Sequence, residues 1–342
     1  MMHNNKEAYL GYALDLKPEE VKIIEDFANW LPDDIIDSHA HSNLPEHVED
    51  MQEKTYRHML STFPSFTIEE SRQAQRFFYP TKRVRTLRFA KTFRGINHRA
   101  ANVYLLNHSS GEDRVALFGL PEDVPYTVSM LGHPKVSALK MYYSYCEPTA
   151  TKIYQFFKPE ILEVAQSRDI PIILHLPFRI TECAEDLHQL IRDFPRQKIT
   201  LAHLGLTKFL IPGLEEIYRE FSRYPQVMMD TALCPSVEVV EVALRVFGTD
   251  RIMFGSDEPL HLIRSKAYEH PEKGQRIITE YPYHWVDSDE HARFGHLAQG
   301  VVHCHWLSME AIRSAIDRFP EHDREDIKNK VFHDNASAFY GF

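Results

Sequence analysis

The stretch Ile35-Ile36-Asp37-Ser38-His39-Ala40-His41 runs from an apolar pair into two histidines one residue apart. On an extended strand both imidazoles project from the same face, which makes the pair a two-toothed clamp for a metal ion. With 20 histidines in 342 residues a chance His-x-His is common, so two surface histidines are the competing reading. The clamp gains weight from lone polar residues that close apolar runs further along. These are Lys140 after Ala138-Leu139, His175 after Ile172-Ile173-Leu174, His203 after Leu201-Ala202, and Asp257 after Phe254-Gly255-Ser256. Singly each reads as a satisfied core or turn residue. Together they are harder to dismiss, because a buried imidazole or carboxylate without a partner costs several kcal/mol.

Regular elements must position these residues. Short apolar, β-branched runs alternate with longer amphipathic segments, and strands are predicted at the Ile35 run and at 84–89, 115–120, 136–141, 171–176, 199–203, 227–230 and 251–255. Helices are predicted between them at 154–168, 183–194, 213–224 and 236–247. Ahead of the first strand, Pro18, Glu19 and Glu20 followed by Val21, Ile24 and Phe27 predict a helix ending near Leu31-Pro32. A capping box of Thr67 and Glu70 opens another that reaches Phe78. Eight strands, each followed by a helix or long crossover, predict an α/β fold: a closed (β/α)8 TIM barrel, one domain over 1–342 with an N-terminal helical extension at 1–33. An open doubly wound sheet lacks its usual Gly-x-Gly-x-x-Gly or P-loop here. Residues 258–306, with Pro259, Pro271, Pro282 and many charges, are too long for an ordinary connection and predict an insertion over the active-site face. The chain is expected to close on a helix at 308–319 and a helical piece ending at Tyr340. In such a barrel chemistry sits at the carboxyl ends of the strands, where the polar residues above fall.

Composition narrows the partners. A net charge of −10 repels nucleic acid and anionic membranes, and no apolar run approaches the roughly 20 residues of a membrane span. Met1 to Lys6 are polar and lead into no apolar signal core, which predicts a cytoplasmic protein. Cys146, Cys183, Cys234 and Cys304 are scattered and read as reduced thiols, small hydrophobes near the core. A small-molecule substrate is the expected partner, and a homo-oligomer is left open.

The pattern resembles the metal-dependent amidohydrolase superfamily, and within it the amidohydrolase-related branch that includes aminocarboxymuconate-semialdehyde decarboxylase-like enzymes. The residues that carry the resemblance span nearly the whole chain: Asp37-Ser38-His39-Ala40-His41, His175, His203, Gly255-Ser256-Asp257-Glu258-Pro259 and Asn335-Ala336 with Phe339-Tyr340-Gly341. It implies that His39, His41, His175 and Asp257 hold a divalent metal, one Zn2+ ion, with another divalent metal or a second ion as alternatives. It also implies that His203 lies beside the metal as an acid/base or as a ligand of a second ion. Three imidazoles and a carboxylate suit zinc and leave room for a water or substrate oxygen. Asp257 is then placed to take the proton of an activated water, with His203 donating a proton or steadying an oxyanion.

Lys140 departs from the pattern. It reads as a carbamate bridge between two metals, as a cation for a substrate carboxylate, or as a structural ion-pair partner. The lack of a glutamate there and the acidic net charge count against a TatD-like nuclease. A basic run of Arg83, Arg85, Arg88, Lys91, Arg94 and Arg99 is either a solvated face or the source of a carboxylate clamp from Arg88 or Arg94. Arg179 is a second clamp candidate, and Tyr142 and Tyr143 could line the pocket. His303-Cys304-His305 repeats the His-x-His spacing, but after the eighth strand, where a structural or lid role is expected. The first reading is therefore a metal-dependent hydrolase of a small, anionic amide, lactone or related C–N or C–O bond. A non-oxidative decarboxylase or hydratase with the same metal shell is the second, and a non-catalytic binding barrel the third.

Overall fold

The computed structural model describes residues 14–49, 63, 65–280 and 288–342. Helix α1 (Pro18–Trp30) begins on a proline, whose missing N–H is no loss in a first turn, and delivers the chain to β1 (Asp34–His41). Seven more strands follow: β2 (Arg83–Phe89), β3 (Arg114–Phe118), β4 (Val136–Met141), β5 (Ile172–Leu174), β6 (Ile199–Leu201), β7 (Val227–Asp230) and β8 (Ile252–Met253). Each pairs parallel with the next in chain order. The seam between the last strand and the first is closed by Ser38 N–H to Phe254 O at 3.0 Å, Asp257 N–H to His39 O at 2.9 Å and His41 N–H to Glu258 O at 2.7 Å. This is the expected (β/α)8 TIM barrel.

Helices follow the first seven strands in turn: α2 (Ile68–Phe78), α3 (His98–His108), α4 (Val124–Met130), α5 (Pro159–Ser167), α6 (Ala184–Asp193), α7 (Leu214–Phe221) and α8 (Val237–Val242). Thr67 caps α2 reciprocally with Glu70, as the capping box predicts. The helix expected over 154–168 is two pieces, because Pro159 cannot continue a helix and instead starts α5. Strands β5, β6 and β8 stop short of their polar terminal residues, which leave the ladder to face the barrel mouth.

Alternation along the strands builds two apolar layers. Ile36, Leu87, Ala138, Ile173, Met228 and Met253 fill the barrel, while Ile35, Leu117, Leu139, Ile172, Leu174 and Leu201 pack outward with the helices. The floor is shut by a C-terminal helix (Asn335–Tyr340), whose Ala336 and Tyr340 join the inner layer and whose Tyr340 hydroxyl meets Thr200 Oγ1 at 2.6 Å.

The insertion after β8 folds as a small antiparallel sheet, order β10-β9-β11, from β9 (Arg264–His270), β10 (Gly274–Thr279) and β11 (Val302–His303), with a helix at Ser288–Phe294. His284 and Pro282 lie outside the described residues. The closing helix starts at Cys304 rather than Ser308 and runs to Asp317. His303 and His305 are structural: His303 Nδ1 pairs with Glu20 Oε1 of α1 at 2.5 Å, and His305 Nε2 meets the Tyr79 hydroxyl at 3.0 Å. Arg264 Nη2 lies 3.6 Å from the same Glu20 carboxylate, so α1 is pinned to the insertion.

Glu20 is fully buried, and removing it takes the carboxylate away from His303 and Arg264. Glu20→Ala is expected to lower stability by about 3 kcal/mol in denaturant unfolding, with divalent-metal content unchanged. Burial pushes the Glu20 carboxyl up, but the hydrogen bonds and charge of His303 outweigh it and hold it below its ordinary value. The contribution is therefore present at neutral pH and lost as pH falls through that lowered value, where variant and wild type should converge.

Candidate metal centre

A register shift in β1 between Asp37 and Ala40 resets the alternation, so that His39 and His41 turn inward although Ile36 does too. Both imidazoles rest on Phe89 of β2, with ring centroids 5.0 and 4.5 Å away. Asp37 does not face the mouth. Its carboxylate accepts the N–H groups of His39 at 3.0 Å and Ser256 at 2.9 Å and the Ser256 hydroxyl at 2.5 Å, tying the tips of β1 and β8 together. Burial pushes the Asp37 carboxyl up to about 6. Gly255 permits this contact, because a Cβ there would sit 2.8 Å from the Cβ of His39. Asp257 and His203 both take left-handed backbone, with φ of 60° and 55°, an uncommon conformation for such residues that orients each toward the mouth.

Four imidazoles are fixed in the same way. Nδ1 of His39 donates to Asp230 Oδ2 at 2.9 Å, and that of His41 to the Ala90 carbonyl at 3.2 Å. Nδ1 of His175 and of His203 each donate at 2.9 Å, to the carbonyls of Leu176 and Ala232. Every Nε2 is thereby left as a lone pair facing the mouth. The rings form a chain, His41 to His39 at 5.5 Å, His39 to His203 at 4.9 Å and His203 to His175 at 4.9 Å.

Asp257 Oδ1 lies 3.1 Å from His41 Nε2 and 3.5 Å from His39 Nε2. One ligand atom from each of His39, His41 and Asp257 falls within 4.8 Å of the others; His175, just after β5, is not in that group and adjoins it through His203, its ring 4.9 Å away. A neutral imidazole has a single N–H, already spent at Nδ1, so at these contacts lone pair meets carboxylate oxygen. Protonating the rings is no remedy, since burial lowers His41 and His203 to about 4 and His175 well below its ordinary value. Burial pushes the Asp257 carboxyl up, but its contact with His41 and the neighbouring imidazoles of His203 and His39 outweigh this and hold it well below its ordinary range. Acceptors converging on a space too dry to supply protons suit a divalent cation, and the imidazole-carboxylate donor set fits one.

Lys140, on β4, is fully buried, and its Nζ has no hydrogen-bond partner among the described residues. It stands 5.2 Å from the Phe89 ring, and its charge acts on His41 and His175. Burial lowers its amine to about 8, against the pull of Asp230 and Asp257. Tyr142 lies 4.8 Å from the His175 ring and so lines the same space. The arginines do not join the group. Arg88, expected as a clamp, faces the helices because Leu87 and Phe89 face inward, and it is buried against Asp113 at 3.0 Å and Ser71 at 2.6 Å. Arg94 is paired with Glu147 at the surface, and Arg179 is exposed in the loop after β5.

Sequence reasoning missed Asp230. It ends β7 after Val227-Met228-Met229, the same lone-polar signature as the other site residues, and it supports both His39 and the backbone N–H of His203, the latter at 2.9 Å. Burial pushes its carboxyl up, and the charge and hydrogen bond of His39 more than offset this.

A parallel eight-stranded barrel with a buried imidazole-carboxylate centre at its carboxyl end defines the class. The chain belongs to the amidohydrolase family, whose sequence model matches residues 129–342, and it is an amidohydrolase-like enzyme of a metal-dependent family. No curated protein sequence matches it. Among solved structures, 5-carboxyvanillate decarboxylase from Sphingomonas paucimobilis superposes with a TM-score of 0.58 at 12% identity, over 91% of this chain and 100% of that one. The 5-carboxyvanillate decarboxylase of Novosphingobium aromaticivorans, complexed with manganese and 4-hydroxy-3-methoxy-5-nitrobenzoic acid, gives 0.54 at 12% identity over 90% and 96%. A probable 2-pyrone-4,6-dicarboxylic acid hydrolase from Acinetobacter baumannii, with citric acid bound, gives 0.54 at 11% identity over 90% and 99%. At these identities the likeness shows the shared fold.

Because Asp230 orients His39 from behind, Asp230→Asn should keep the fold and lower divalent-metal affinity by about ten- to a hundredfold in chelator competition. Unchanged affinity would remove Asp230 from the centre.

Proposed function

We propose that the protein is a metal-dependent hydrolase that cleaves an amide, lactone or related C–N or C–O bond in a small carboxylate-bearing molecule. The observation that carries this is the meeting of His39 and His41 Nε2 with Asp257 Oδ1, beside the buried amine of Lys140, which has no hydrogen-bond partner among the described residues. The first is a seat for a cation, the second for an anion. His39, His41, Asp257 and His175 would hold a divalent ion, zinc or, as in one structure of this fold, manganese. A divalent ion held there supplies Lewis-acid polarisation of a substrate oxygen and lowers the pKa of an attacking water.

The chain's own groups supply the proton transfers and the orientation. Asp257, kept ionised, accepts the proton that the attacking water gives up. His203, its Nδ1 hydrogen committed to Ala232, presents a lone pair at Nε2. It is a second proton acceptor, and because burial disfavours its protonated form it readily passes the proton on to the departing nitrogen or oxygen. Lys140 draws the substrate carboxylate into the mouth and fixes the bond to be broken, an ion pair that gains strength from the scarcity of water.

A second reading is non-oxidative decarboxylation. Two structures of the same fold are 5-carboxyvanillate decarboxylases, and a carboxylate seated by Lys140 would be the group lost. Release of carbon dioxide, against a hydrolysed product alone, separates the two.

His39→Ala and Asp257→Asn are expected to abolish metal uptake and turnover while far-ultraviolet circular dichroism stays native; full activity in either variant would refute the site. Lys140→Ala should leave the metal count unchanged and weaken binding of a simple carboxylate such as benzoate by about tenfold. A fall in metal count would instead make Lys140 a bridge. In the wild type the ammonium form exists below about 8, so carboxylate binding should be strong at lower pH and decline as pH rises through that value.

A further inference from the structure

Next to the centre lies a chamber of about 280 Å³, walled largely by the part of the chain that departs from a plain barrel. One side comes from the loops after β6 and β7 through Phe209 and Leu233, and the other from Leu260, Ile277 on β10 and Leu307 on the closing helix. Three links place it beside the centre. Leu233 follows Ala232, whose carbonyl holds His203. The Leu260 N–H donates to the Asp257 carbonyl at 2.8 Å. Lys208, in the chamber lining, acts electrostatically on His203.

Two cations, Lys208 and Arg276, and one acid, Glu290, interrupt a mainly apolar lining. Glu290 is already engaged, accepting from the Tyr268 hydroxyl at 2.7 Å and from Lys273 Nζ at 2.6 Å. Arg276 is half-buried, and its side chain donates to the neighbouring Gln275 carbonyl at 2.8 Å. Neither Arg276 nor Lys208 has a carboxylate partner among the described residues. A half-buried guanidinium at the wall of an apolar chamber is only partly solvated, and a carboxylate satisfies it with paired, charge-assisted bonds. Just below the roughly 300–1,000 Å³ range of ligand pockets, the volume suits a small molecule rather than a polymer.

We propose that this chamber is the subsite for the non-reacting half of the substrate, and that it selects an apolar body bearing an anionic group remote from the reacting bond, received by Arg276. Lys208, at the end beside His203, adds to the positive field along the path. The inference rests on the hydrolase reading only in placing the reacting end at the metal centre.

The test is equilibrium binding of octanoate and suberate, equal in chain length and differing in the far carboxylate, to the wild type, Arg276→Gln and Arg276→Lys by titration calorimetry. Elemental analysis gives the metal content of each protein. Suberate should bind the wild type about tenfold more tightly than octanoate. Arg276→Gln should erase that preference with octanoate affinity unchanged, and Arg276→Lys should restore part of it. A wild type that binds neither probe, or binds both equally, or a preference that survives Arg276→Gln, overturns the subsite. A protein that shows the Arg276-dependent preference but takes up no metal keeps the subsite and sinks the hydrolase reading; one that loads metal without the preference does the reverse.

Discussion

A shortage of protons organises the mouth of this barrel. Four imidazoles have each given their one hydrogen to an oxygen of the surrounding chain, so that lone pairs and an ionised carboxylate face a common space. Such a gathering is unfavourable on its own, and it persists because the frame leaves it no room to relax. Asp37 locks two strand tips together, Gly255 lets them approach, and left-handed backbone at Asp257 and His203 aims both side chains inward. Below them, apolar side chains and the C-terminal helix seal the barrel. Rigidity beneath and unmet demand above are two sides of one arrangement.

Much of this was legible in the chain because parallel strands end abruptly. The runs at Val136–Met141 and Val227–Asp230 are strands over those spans, and the lone polar residue after each apolar run falls at the mouth. What period and composition could not convey was which way a residue faces within a strand buried on both sides. Apolar neighbours occupy both faces of such a strand, so alternation carries little signal. Arg88 suffered from this: between Leu87 and Phe89, which point inward, it points to the helices and serves Asp113. Asp230 suffered from the reverse, since a carboxylate that supports a ligand resembles one that merely ends a strand. The sheet within the insertion was hidden for another reason, as its strands are mostly polar and exposed on one face.

The insertion and the N-terminal helix belong to one device. Glu20 reaches from α1 to His303 and Arg264, and the sheet so anchored presents Ile277 and Arg276 to the chamber. The second His-x-His thus helps, through His303, to hold the wall of a cavity in place.

At the seam, His41 and Asp257 stand 216 positions apart in the chain and meet only where the eighth strand returns to the first. An ion gripped by both would act as a clasp across that join. Loading the protein and keeping its staves together would then be a single equilibrium, with free cation concentration setting how firmly the vessel is hooped.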